Sequence, residues 1–108
     1  MSVEHVVLFK WKDDAPAETI AQVEADVIAL KDQISGIVDL TYGKDFNKVR
    51  ADGFTHMVVV RFVSKEALAS YDAHPDHQKV VALLLPIMDK ILVMDMESPR
   101  LTPAKEHI

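Results

Sequence analysis

Between residues 3 and 11 apolar positions come every second residue, with Val3, His5, Val7, Phe9 and Trp11 on one side and Val6, Leu8 and Lys10 on the other. That is the period of a strand, and it sets His5 on the same side as Val7 and Phe9. After "DDAPAET", whose acids and proline suit a helix start, Ile20, Val23, Val27, Leu30 and Ile34 follow at steps of three and four. The spacing predicts an amphipathic helix over about 16–34, closed by Ser35-Gly36. "IVDLTYG" predicts a second strand, and "KDFNKVRADG" a polar loop ending in a glycine turn. "FTHMVVVRF" is the most strand-like run, with Phe54, His56, Val58, Val60 and Phe62 on one side and Met57 and Val59 on the other. Ser64 suits the N-cap of a short helix over 65–73. Pro75 disfavours helical backbone at His74, so that helix stops there, and the same proline fits the first turn of a further helix running to about Pro86. "KILVMDM" supplies the last strand.

The order β-α-β-β-α-α-β predicts an α+β, ferredoxin-like fold, a four-stranded antiparallel sheet with helices on one face. A single domain over 1–97 accounts for these elements, and "SPRLTPAKEHI" at 98–108, with two prolines and little apolar content, is expected to be an exposed tail. Both faces of the sheet read as apolar. Val7, Phe9, Val58, Val60, Ile91 and Val93 fall on one, while Val6, Leu8, Val38, Leu40, Met57, Val59, Leu92 and Met94 fall on the other. The helices suffice to cover one side, and a sheet whose second face met water would carry polar residues there. The second set is therefore expected to pack against a second copy of the chain, giving a homodimer in which two sheets meet as an α+β barrel.

Composition narrows the function classes. A chain of 108 residues and 12.1 kDa supports one core. With 49% apolar and 27% charged residues, it is expected to fold. The net charge of -5, with Lys and Arg scattered among acids, argues against nucleic acid as a partner. The chain has no cysteine, so disulfides, thiolate nucleophiles and Cys-bound metal are excluded. "MSVEHVVLFKWK" lacks the basic and long apolar regions of a signal peptide, and no apolar run has membrane length. A cytoplasmic, soluble protein with no membrane partner is expected.

"HVVLFKWK" at the start, "YGKD" at 42–45, "GFTHMVVVRFVSKEAL" at 53–68, "YDAHPDH" at 71–77 and the closing "DKILVMDME" resemble the stress-responsive A/B barrel family, the dimeric α+β barrels also called Dabb domains. The likeness runs over about residues 3–97. The family is functionally mixed, with plant stress proteins, members of unknown role and a polyketide-cyclising type, so fold transfers better than activity. In the cyclising type a pocket between sheet and helices closes a ring by aldol condensation, and no metal or organic cofactor carries the chemistry, so none is implied here. By this resemblance His77 is the general base, Tyr71 orients it or holds the substrate carbonyl, and His5 stands nearby on the first strand. A near-neutral histidine and a hydrogen-bonding phenol suit removal of a proton from carbon while a carbonyl takes up charge. Val7, Phe9, Val23, Val27, Val58, Val80, Met88, Ile91 and Val93 are expected to line the pocket.

The chain departs from the cyclising type on the first helix, where Val23, Glu24 and Val27 stand in place of aromatic residues, and at Met88, which replaces a bulky aromatic. These departures imply a different pocket shape and another carbonyl compound. Asp72, where the cyclising type has an aliphatic residue, is expected to raise the pKa of His77. Plainer readings stand beside these. His74 ends a helix ahead of Pro75, His56 is a hydrogen-bonded, half-buried strand histidine, and Tyr71 taken alone is an ordinary core tyrosine. His74 and His77 stand three apart, a weak zinc pattern without further ligands, and no metal is assigned. The reading favoured is a binder of a small apolar or carbonyl-bearing molecule in the helix-side pocket. A cyclase-like lyase using His77 and Tyr71 and a structural stress protein are the alternatives.

Overall fold

The structure, a computed structural model, describes residues 1–99. In chain order it has β1 (Ser2–Trp11), α1 (Ala17–Gln33), β2 (Ile37–Lys44), β3 (His56–Phe62), α2 (Lys65–Ala73), α3 (Pro75–Leu84), a 3-10 turn at Leu85–Ile87, and β4 (Met88–Ser98). The strands lie in the order β2-β3-β1-β4, each pair of neighbours antiparallel. This is the four-stranded ferredoxin-like sheet that the pattern of residues predicts. β4 begins at Met88 and ends at Ser98, so Ser98, expected to open the tail, instead pairs with Ser2. Residues 100–108 of the expected tail lie outside the described residues. Among the described residues no helix is long and apolar enough to cross a membrane.

The core lies between the sheet and the helices. Val3, Phe9 and Trp11 from β1, Val58, Val60 and Phe62 from β3, and Val23, Val27 and Leu30 from α1 are buried together. Each large apolar side chain enclosed in this way contributes roughly 1.5–3 kcal/mol. α1 ends at a left-handed Gly36, whose φ is +92° and whose Cα faces the Ala67 side chain of α2. A Cβ at position 36 would lie 2.8 Å from that of Ala67, so the turn needs glycine for both conformation and space. The Gly36 carbonyl accepts from the Val63 N–H, which fixes the start of β2 against the end of β3.

One assignment of faces is overturned on β2. Leu40, expected on the outer face with Val6 and Leu8, pairs with Val60 and is buried in the helix-side core. The register shifts between Ile37 and Asp39, and this bulge carries one extra residue, Val38, which is exposed. Simple alternation from Val38 to Leu40 therefore fails, because a bulge reverses the parity of everything after it. Tyr42 consequently turns to the helix side too, opposite Val58.

The outer face stays open and apolar. Met57, Leu92 and Met94 are exposed there, and a shallow groove runs between Val6, Leu8, Leu92, Met94 and Met96. The loop between β2 and β3 carries exposed Phe46 and Val49, and Lys90 ties its far end to β4 by donating to the Asp52 carbonyl and lying over the Phe54 ring.

Candidate functional site

The corner between α2 and α3 is built by His74 and Pro75. His74 adopts extended backbone (φ -67°, ψ 135°), donates its N–H to the Tyr71 carbonyl, and accepts at Nδ1 from the Asp76 N–H at 3.0 Å. One residue thus closes α2 and caps α3, with Pro75 in the first turn where its missing N–H costs nothing. The corner brings Tyr71 from the end of α2 against His77 from the start of α3, ring centroids 4.2 Å apart.

His77 is oriented by backbone. Its Nδ1 donates to the Asp72 carbonyl at 3.3 Å, and because a carbonyl only accepts, the proton of the neutral ring sits on Nδ1 and Nε2 keeps a lone pair. Among the described residues the Tyr71 hydroxyl has no hydrogen bond to His77 or to any other group. Tyr71 therefore packs against the ring and leaves its orientation to the carbonyl. Burial holds the His77 imidazole below the ordinary histidine value. The Asp72 carbonyl and carboxylate push upward but are outweighed, so the expected rise is a net fall. Burial, followed by the Asp72 charge, pushes the Tyr71 phenol up to about 12, and it stays a proton donor at neutral pH.

β1 delivers His5 to the same place. It is 7% exposed, its ring meets Tyr71 edge-on at 5.9 Å, and its Nδ1 lies 2.5 Å from the carboxylate of Asp95, its cross-strand partner on β4. The carboxylate accepts, so this ring too carries its proton on Nδ1. His5, Tyr71 and His77 border one cavity of about 260 Å³. Val7, Phe9, Val23, Val27, Val58, Val80, Met88, Ile91 and Val93 border the same cavity. On β4 the helix-facing Ile91 and Val93, part of the cavity lining, remain 45% and 47% exposed.

Asp95 and Tyr42 belong to the site and were not singled out in the sequence. Asp95 was legible in principle, since it follows Ile91 and Val93 at steps of two, a carboxylate on an otherwise apolar side. Tyr42 was hidden by the β2 bulge. It donates to Glu24 at 2.5 Å, and burial together with that bond drives its pKa far above the ordinary phenol value. His56 lies near it, bonded to Thr55 Oγ1 at 2.8 Å and stacked on Phe9. Burial lowers the His56 pKa against the opposing charge of Glu24. The Trp11 indole N–H is buried at this end without a hydrogen bond among the described residues. His74 spends Nδ1 on its cap, away from the cavity lining, and no group of three or more His, Asp or Glu among the described residues is arranged to hold a metal ion.

The sequence model of the stress-responsive A/B barrel domain matches residues 3–98. The chain belongs to this Dabb family. It is 39% identical over 100 residues to a stress-response A/B barrel domain-containing protein of Arabidopsis thaliana, a match covering 92% of this chain and 38% of that protein. It is 29% identical to olivetolic acid cyclase of Cannabis sativa, over 88% of this chain and 95% of the cyclase. Among solved structures, hydroxynitrile lyase of Passiflora edulis superposes with a TM-score of 0.84 at 25% identity, covering 94% and 97% of the two chains. A protein of unknown function from Bacteroides fragilis, described as dimeric and ferredoxin-like, superposes with a TM-score of 0.72 at 26% identity over 90% and 96%. The Dabb fold thus holds proteins named for stress response, for ring closure and for lysis of hydroxynitriles.

Proposed function

We propose that this Dabb chain forms a homodimer through its outer sheet face and binds a small apolar or carbonyl-bearing molecule in the helix-side cavity. The observation that carries the reading is the cavity of about 260 Å³, apolar along its walls and bordered at one end by His5, Tyr71 and His77. Its volume lies just under the range of drug-sized pockets and suits a ligand of about ten non-hydrogen atoms. An open cavity also weighs against a purely structural role, for which the chain's own side chains would fill the space. The exposed Met57, Leu92 and Met94 support the dimer, since an apolar face of this kind is stable in water when a partner covers it. The test is calorimetric titration of small ketones and aldehydes into the protein, read together with ligand-induced stabilisation. Saturable binding that His77→Ala retains is the expected result, and no binding by any of them at millimolar concentration overturns the reading.

A second reading, a cofactor-independent lyase, draws on one feature of the site. His77 is held neutral with its Nε2 lone pair unengaged among the described residues, beside a phenol that remains a proton donor. That pair suits moving a proton to or from a substrate while a carbonyl oxygen takes a hydrogen bond. The similarity to a cyclase and to a hydroxynitrile lyase supports the same class of chemistry. Turnover of a carbonyl compound that is lost in His77→Ala, with binding and fold retained, would make this the function.

A further inference from the structure

We infer that the cavity selects uncharged carbonyl compounds over the corresponding carboxylates, and that Asp72 and Asp95 impose the choice. The inference rests on the binding reading and names the chemical class of ligand. Two observations meet at the histidine end. The first is the Tyr71 hydroxyl, which belongs to a side chain 4% exposed, borders the cavity and has no hydrogen-bond partner among the described residues. Its oxygen opens onto the cavity, since the buried, unpaired side-chain atoms among the described residues are confined to the Trp11 indole nitrogen, and the O–H is free to donate to an acceptor oxygen on a ligand.

The second is the charge around that donor. Asp72, at the end of α2, and Asp95, on β4, both border the cavity, and among its described lining residues there is no lysine or arginine to offset them. Asp95, on β4, is bonded to His5, whose ring meets Tyr71 edge-on, and Asp72 follows Tyr71 on α2, so both carboxylates stand at the histidine end of the cavity. His77, kept neutral by burial, adds no fixed positive charge. A ketone or aldehyde oxygen placed at Tyr71 gains a hydrogen bond and brings no charge. A carboxylate of the same size placed there loses its hydration and meets two like charges through a medium of reduced dielectric. The remaining walls, formed by Val7, Val27, Val58, Leu84 and Met88, suit a ring or a short chain on the carbonyl carbon.

The test compares ligands matched in shape, acetophenone against benzoate and 4-phenylbutan-2-one against 3-phenylpropionate, by calorimetric titration at neutral pH. Quenching of Trp11, the single tryptophan of the chain and part of the cavity wall, gives a second readout. The ketone of each pair is expected to bind more tightly by roughly tenfold or more. Asp72→Asn and Asp95→Asn are each expected to narrow that ratio by raising the affinity of the acid. Equal affinities, or a preference for the acids, overturn the inference while leaving the binding reading in place. A preference unchanged in both variants overturns the assignment to these two carboxylates. Failure of all four ligands to bind removes the binding reading itself, and this inference with it.

Discussion

A backbone carbonyl, and no neighbouring side chain, sets which nitrogen of His77 carries the proton. The ring's orientation should therefore survive removal of the Tyr71 hydroxyl. Tyr71→Phe is expected to keep the fold and to weaken binding of a ketone by roughly three- to tenfold, the usual worth of one hydrogen bond. Titration calorimetry checks the affinity, and the ring proton shifts of His77 check that it has not moved. Acid sensitivity follows from burial. His77 and His56 both titrate below their ordinary value in the folded chain, so the unfolded chain binds more protons in the interval between the lowered values and 6.5. Their contribution to stability is complete above that interval and declines as pH falls through it. Thermal melts should show Tm dropping as pH falls below about 7, with a shallower drop in His77→Gln; an identical slope would mean that His77 is not a source.

At the level of elements, α2 and α3 depend on one residue between them. His74→Ala removes the acceptor that caps α3 and should cost about 1 kcal/mol, whereas His74→Ser keeps an acceptor and should recover most of it, both read from urea denaturation. Gly36→Ala places a Cβ against Ala67 in a left-handed turn and should cost about 1–3 kcal/mol by the same measurement. The helix ends at Ser35-Gly36 and His74-Pro75 were plain in the sequence, because proline and glycine act within a few positions of themselves; the His74 cap on α3 and the approach of Gly36 to Ala67 were not. The strand and helix periods were equally plain, and with them the placement of His5 on the helix side. The phase of β2 was not, because a bulge depends on how the strand meets its neighbour and leaves no local signature in "IVDLTYG". Leu40→Ala, now a core truncation, should cost about 2–5 kcal/mol. The balance at His77 was hidden for a related reason. Asp72 is visible in the chain, but the burial that outweighs it is a property of the packed corner.

At the scale of the whole molecule, the sheet has one face packed by helices and one that carries exposed methionine, leucine and valine. If two copies close over that face, sedimentation of the wild-type chain gives twice the mass of one. Met94→Glu, which sets a charge where Met94 is 67% exposed on the lone chain, should return it to a single copy. A wild-type chain that sediments as one copy at micromolar concentration would leave the face for another partner.

The central position of β1 also governs the order in which the molecule can be made. β1 pairs with β3 on one side and with β4 on the other, and the bond between His5 and Asp95 joins residues 90 positions apart. During synthesis β1 emerges first and has neither neighbour; β3 reaches it after the whole of α1 and β2, and β4 after everything else. Closing so long a loop is entropically costly and gives few contacts until it is complete. Within this domain β1 consequently stays an unpaired apolar strand until β3 has been made, the kind of exposed edge on which incomplete chains aggregate. The histidine cavity, which needs β4 for one wall, is assembled in the final step.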